Sequence, residues 1–249
     1  MALSAAVRHL VLPFCFAVAL PAGLAAQFTV HLSPETDRAF DDYIKAAESE
    51  MDGRPRFATA GTAESVEAVG RSPMDVKDGM VSDWTGAALA PGGTVEKALA
   101  VLQAFDDYKR VYAPDIIAAR LLSREGDRAH IYVRVRKKKI LTVVLDTEYD
   151  VEVRHLEGGK KAVFSRSTSI SEVDHGRALP PGTGHGFAWR ANTYWLLEPR
   201  PQGVYLECRI ITLSRDVPAA LAWAIKPMVT SVPRESLRAT LEATIRALR

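Results

Sequence analysis

From Ile116 to Ser214 apolar and polar side chains alternate with a period of two, the repeat of extended chain with one covered face and one wet face. That stretch excludes an all-helical fold and predicts strands over 116–124, 128–137, 140–154, 161–173, 187–198 and 203–214. In the third, Val143, Leu145, Thr147, Tyr149, Val151 and Val153 share one face, while Asp146, Glu148, Asp150 and Glu152 share the other. Gly126-Asp127, Gly158-Gly159 and Gln202-Gly203 separate consecutive strands, so neighbours are expected to pair as antiparallel hairpins. On the fifth strand Phe187, Trp189, Ala191, Thr193, Trp195 and Leu197 fall on one parity. On the sixth Val204, Leu206, Cys208 and Ile210 do so, which leaves Glu207 and Arg209 facing outward.

The flanks change period. Ser33-Pro34-Glu35 reads as a helix start, with a capping hydroxyl, a first-turn proline and an acid at the positive end of the dipole. Phe40, Tyr43, Ile44, Ala47 and Met51 then recur at helical spacing, whereas Asp52 to Lys77 shows no periodicity and reads as a loop or linker. Val81 to Leu89 predicts a strand opening the main domain. Thr94 caps a helix whose buried face is Val95, Ala98, Leu99, Leu102 and Phe105, and a second short helix over Asp106 to Tyr112 must stop before Pro114. A last helical segment is expected after Asp216, with Pro218 in its first turn and an interruption or kink at Pro227 and Pro233. From about Pro233 a long final helix carries Leu237, Leu241, Ile245 and Leu248 as its apolar stripe.

Arg8, the apolar run Leu10 to Leu20 and the small residues Pro21 to Ala26 have the layout of a secretory signal, too short to span a bilayer. The expected organisation is therefore a signal at 1–26, a helix and irregular linker at 27–79, and the main domain at 80–249, in an exported, periplasmic or secreted protein. Cys15 leaves with the signal, so Cys208 has no internal disulfide partner and reads as a buried small hydrophobe. The 249 residues are 47% hydrophobic and carry 32 basic against 30 acidic side chains, a balance of +2 that gives nucleic acid no concentrated basic surface.

Further residues carry a resemblance. Val95-Glu-Lys-Ala-Leu-Ala-Val-Leu-Gln-Ala-Phe-Asp-Asp-Tyr-Lys109, then Tyr112-Ala-Pro114-Asp-Ile-Ile and Leu121-Leu-Ser-Arg-Glu-Gly126, resemble the polyketide-cyclase and coenzyme Q-binding branch of the START-like, helix-grip (SRPBCC) superfamily. In that pattern a helix ends in Asp-Phe-x-x-Tyr, a proline follows, and a strand leads into a glycine hairpin; here Ala104 stands where the aspartate belongs. The resemblance covers roughly residues 81–249 and not 27–80. It implies an α+β fold in which a curved antiparallel sheet wraps a long C-terminal helix, here with an N-terminal helical appendage. It also implies an apolar cavity for a lipid, sterol, polyketide or quinone-like molecule.

Strand parity and the helix stripe nominate the lining residues: Val143, Leu145, Thr147, Tyr149, Trp189, Thr193, Trp195, Leu206, Cys208, Ile210, Leu237 and Leu241. The same residues would equally suit a filled core. His31, His130, His155, His175 and His185 lack metal-ligand spacing, so neither metal nor cofactor is expected. Gly182-Thr-Gly-His-Gly186 lacks the lysine-serine ending of a phosphate loop, and no Gly-x-Ser-x-Gly elbow occurs. The basic run Arg134-Val-Arg-Lys-Lys-Lys139 reads as a solvated hairpin, with transient contact to an anionic membrane as the alternative. The expected function is non-catalytic binding of a hydrophobic small molecule, a lipid for preference. The alternatives are a cyclase or hydrolase on the same scaffold, or a structural or interaction protein with a filled core.

Overall fold

A computed structural model of the chain describes residues 29–52, 67–70, 73–139, 141–216 and 222–249. The expected signal at 1–26 and the first-turn Pro218 lie outside the described residues. In chain order the elements are β1 (Val30–His31), α1 (Pro34–Asp52), β2 (Glu67–Gly70), β3 (Met74–Val76), β4 (Gly79–Pro91), α2 (Val95–Gln103) and α3 (Tyr108–Val111). They continue with β5 (Ile116–Glu125), β6 (Arg128–Lys138), β7 (Thr142–His155), β8 (Lys161–Asp174), β9 (Arg177–Ala178), β10 (Thr183–Gly184), β11 (Arg190–Arg200), β12 (Gly203–Arg215) and α4 (Ala222–Ala247).

The period-two stretch forms an antiparallel sheet in the order β2–β4–β12–β11–β8–β7–β6–β5, with β3 paired to β4 and β9 to β8. Consecutive strands from β5 to β8, and β11 with β12, pair as hairpins, with Gly126, Gly158-Gly159 and Gly203 at the β5–β6, β7–β8 and β11–β12 turns. The first strand of the main domain inserts beside the last, Gly79 to Pro91 running against Arg215 to Gly203.

One face of the sheet packs on α2, the turn at Phe105 and α4. There Val95, Ala98, Leu102, Phe105, Trp195, Leu197, Leu206, Cys208, Leu237 and Leu241 form a single buried cluster. Thr94 caps α2 by accepting from the Lys97 amide at 3.2 Å, as its place before the apolar stripe predicts. Helix α4 runs through Pro227 and Pro233 as one segment instead of starting at the second. Each proline removes one amide donor, but the turns on either side remain bonded and the stripe from Leu237 onward holds the helix to the sheet.

The other face is also covered, by the expected N-terminal helix. Phe40, Ile44, Ala47 and Met51 of α1 pack with Val81, Ala162, Phe164, Trp189, Tyr194, Ile211 and Leu213 in a second core. Strands β2 and β3 occupy part of the stretch expected to be irregular, because pairing with β4 and not side-chain periodicity orders such short segments. Gly70 lies opposite Trp84, and a Cβ there would meet the indole ring at 2.3 Å.

Glu207 and Arg209 point away from α4 as parity requires, yet neither is exposed. Arg209 donates to both Asp83 oxygens at 2.9 and 2.6 Å, and Tyr43 of α1 donates to Asp83 at 2.7 Å. Glu48 likewise accepts two bonds from Arg166 and one from Tyr194, tying α1 to the sheet centre.

Candidate functional site

Between the sheet and α4 lies a cavity of about 270 Å³. Its floor is Val143, Leu145, Thr147 and Tyr149 of β7, Ile170 of β8, Ala191 and Thr193 of β11, and Ile210 and Thr212 of β12. Its roof is one side of α4, with Val232, Pro233, Ser236, Ala239, Thr240 and Ala243 at the spacing of successive turns. Tyr112 to Ile116 close one end, and Phe187 and Ala188 border another part of the wall. A second chamber of about 150 Å³ adjoins it toward α2, lined by Leu102, Tyr108, Ile131, Val133, Ser165 and Trp195. Tyr112, Ile116, Val135, Tyr149, Thr193, Ile210 and Thr240 face both chambers.

The predicted site residues divide by location. Val143, Leu145, Thr147, Tyr149, Thr193 and Ile210 line the larger chamber, and Trp195 lines the smaller one. Leu206, Cys208, Leu237 and Leu241 are fully buried in the packed core beside the chambers. Burial pushes the Cys208 thiol well above its ordinary value, which removes it as a nucleophile.

Trp189 is a correction: it belongs to the second core, on the opposite face of the sheet. Phe187 and Ala188 both face the cavity, and Arg190 next to Trp189 reaches Asp37 and Asp41 of α1 at 2.5 and 3.1 Å. Alternation holds from Arg190 on the α1 side and Ala191 on the cavity side but breaks between Trp189 and Arg190, so parity extended back from β11 assigns Trp189 to the wrong side. No period-two argument detects such a break at a strand entrance.

Charge enters the larger chamber at Asp115, Lys137 and Arg246. Asp115 and Lys137 form an ion pair across the β5 entrance and the end of β6. Among the described residues, no His, Cys or Glu lines either chamber. Of the basic run, Arg134 is held by Asp146 at 2.6 and 2.7 Å, and Lys139 by Glu235 of α4 at 2.6 Å.

Sequence reasoning missed the contribution of the segment Tyr112 to Asp115 and of the α4 side bearing Ser236, Thr240 and Ala243. The motif around it was legible. Phe105 and Tyr108 meet edge to face at 5.6 Å, Tyr108 and Tyr112 at 4.9 Å, and Asp106 accepts from the Leu121 amide at 3.2 Å. Those aromatics therefore fasten the short helical turns at the chamber end. Burial pushes the Tyr112 phenol up to about 12 and raises Tyr149 as well, so both stay neutral.

The glycine-rich connection from β9 to β11 is held beside the cavity wall. Glu172, buried at the end of β8, accepts from the amides of His185 and Phe187 at 2.7 and 2.8 Å, and its oxygen lies 3.1 Å from His185 Nδ1. Gly184 approaches so closely, at φ +118°, that a Cβ would meet the Glu172 carboxylate at 2.6 Å. On the outer face a polar cleft surrounds His130, but its two ring nitrogens are engaged by Asp150 at 2.8 Å and Glu148 at 3.2 Å. Among the described residues no group of three or more His, Cys, Asp or Glu can hold a metal ion.

No protein-family model matches the chain, and no curated protein matches its sequence. Among solved structures, the STAR-related lipid transfer protein of Xanthomonas axonopodis, fragment 25–204, is similar with a TM-score of 0.52 at 18% identity, over 73% of this chain and 98% of that one. Human STARD10 aligns with a TM-score of 0.48 at 10% identity, over 81% of this chain and 79% of that one. The Zhui aromatase/cyclase from Streptomyces sp. R1128 aligns with a TM-score of 0.40 at 13% identity, over 68% and 91%. With the hairpin-built antiparallel sheet, the terminal helix laid across it and the cavity between them, the chain has a START-like, helix-grip fold.

Proposed function

We propose that this protein binds a hydrophobic small molecule of the lipid class between its sheet and α4, without catalysing a reaction on it. The observation that carries this reading is the lining itself: two adjoining chambers walled mainly by Val, Leu, Ile, Ala and aromatic side chains. Apolar surface buried there contributes ~25 cal/mol per Å², and a few polar groups orient the ligand. Binding is favoured over catalysis because the ionisable lining comprises the Asp115–Lys137 pair, Arg246 and phenols kept neutral by burial. The test is native mass spectrometry and solvent extraction of protein purified gently from its own host, beside Ala191→Phe, which places a ring in the larger chamber. An apolar adduct on the native chain and its loss in a folded Ala191→Phe are expected; a native chain free of adduct that also takes up no added lipid refutes the reading.

The proposal extends to compartment and encounter. Arg8, Leu10 to Leu20 and the small residues to Ala26 support export, with the mature chain starting near Gln27. Intact mass and N-terminal sequencing test this, and a mature cytosolic product retaining Arg8 would remove its basis. Exposed Leu141 and the basic side chains of Arg136 and Lys138 at the β6–β7 tip support transient contact with an anionic membrane.

A further inference from the structure

Two of the residues standing between the chambers are tyrosines, Tyr112 and Tyr149, and two are threonines, Thr193 and Thr240, while among the described residues no charged side chain lines the smaller chamber. The hydroxyl protons there are partly committed. Thr147 donates to the Val133 carbonyl at 2.6 Å, which commits its proton. Thr244 donates to the Thr240 carbonyl at 2.9 Å, so the 3.1 Å contact between Tyr112 and Thr244 has the phenol as donor. Both phenol oxygens thus keep lone pairs for a guest, and the Thr193 hydroxyl supplies a rotatable donor beside them.

Resting on the lipid-binding reading above, we infer that the ligand is a neutral oxygenated hydrophobe, an alcohol or ketone whose oxygen lies at this hydroxyl waist with apolar carbon on both sides. An ionised headgroup fits poorly there, since it would leave water without a cation to meet it, whereas a hydroxyl or carbonyl exchanges water for partners of its own kind. The apolar walls of the two chambers then receive the two halves of the molecule. A terminal acid would instead have to remain near Arg246 and Lys137, leaving the waist hydroxyls facing hydrocarbon.

Dihexyl ketone, the matching secondary alcohol, tridecane and tridecanoate share one carbon count and separate these chemistries. Competition against a bound fluorescent fatty-acid analogue is expected to rank the alcohol and ketone about tenfold tighter than tridecane, the effect of one or two hydrogen bonds in a dry site. In Tyr149→Phe and Thr193→Val that advantage should shrink toward unity while tridecane binds as before, which also reports that the variants fold. Tridecanoate binding most tightly, or an advantage unchanged in both variants, overturns the inference and leaves the lipid-binding reading standing. Failure of every probe, tridecane included, overturns both.

Discussion

Leu241 has no exposed surface and sits where α4 meets the sheet, packed in one cluster with Leu237, Leu206 and Cys208. Truncation leaves a void that neighbours fill only in part, so Leu241→Ala should cost ~2–5 kcal/mol, read from the denaturation midpoint. An unchanged midpoint would detach the helix stripe from the core. Arg209 behaves differently because its burial is electrostatic. Arg209→Met removes the two bonds at 2.9 and 2.6 Å that buried Asp83 accepts from the guanidinium, and should cost ~3–5 kcal/mol. Replacing Arg209 and Asp83 together by apolar residues should restore part of that loss, since the buried carboxylate goes with its guanidinium and only the more exposed Glu50 loses a contact, at 3.6 Å; denaturant melts of the single and double variants measure the difference.

Among the elements, the connection between β9 and β11 has an anchoring that depends on pH. The Glu172 carboxylate beside it raises the His185 imidazole above its ordinary value, against an opposing effect of burial; Asp174 raises it further and Arg215 lowers it. A raised folded-state value means that the contribution is complete below the unfolded value and is lost as pH rises through the folded one. The thermal midpoint of the native chain should therefore exceed that of His185→Gln most near pH 5.5, and the gap should narrow by about pH 8.5. A gap constant across that window would show that the imidazole charge plays no part. The Glu172 bonds to the His185 and Phe187 amides persist at either pH, so the segment should loosen without detaching.

For the whole molecule, the sheet separates two compartments, and the tryptophans report on them separately. Trp195 lines the smaller chamber, while Trp189 lies in the core under α1. Ligand binding should change the emission of Trp195 and leave that of Trp189 nearly constant, as tested by titrating Trp195→Phe and Trp189→Phe with the same lipid. A response that survives Trp195→Phe and vanishes in Trp189→Phe would place the ligand on the other face. The second face was partly legible in the sequence: Ile211 and Leu213 are apolar on the parity that Glu207 and Arg209 share, a pattern for a strand covered on both sides.

Periodicity by itself determined the strands, their hairpin order, the caps of the first helices and the apolar stripes, because each is set by local geometry repeating every two or 3.6 residues. The same local signal located Val143, Leu145, Thr147, Tyr149, Thr193, Ile210 and Trp195 on the cavity side. Tertiary structure alone decided what each stripe covers: α1 has an apolar face in the sequence, but that it roofs the outer sheet and buries the Asp83–Arg209 pair depends on partners over a hundred residues apart. It also decided which apolar residues fill core and which border empty space, since Leu206 and Ile210 share a strand face, yet Leu206 is fully buried in the core and Ile210 borders both chambers. Packing distance between elements carries no periodic signature, and that is why the cavity became visible only in three dimensions.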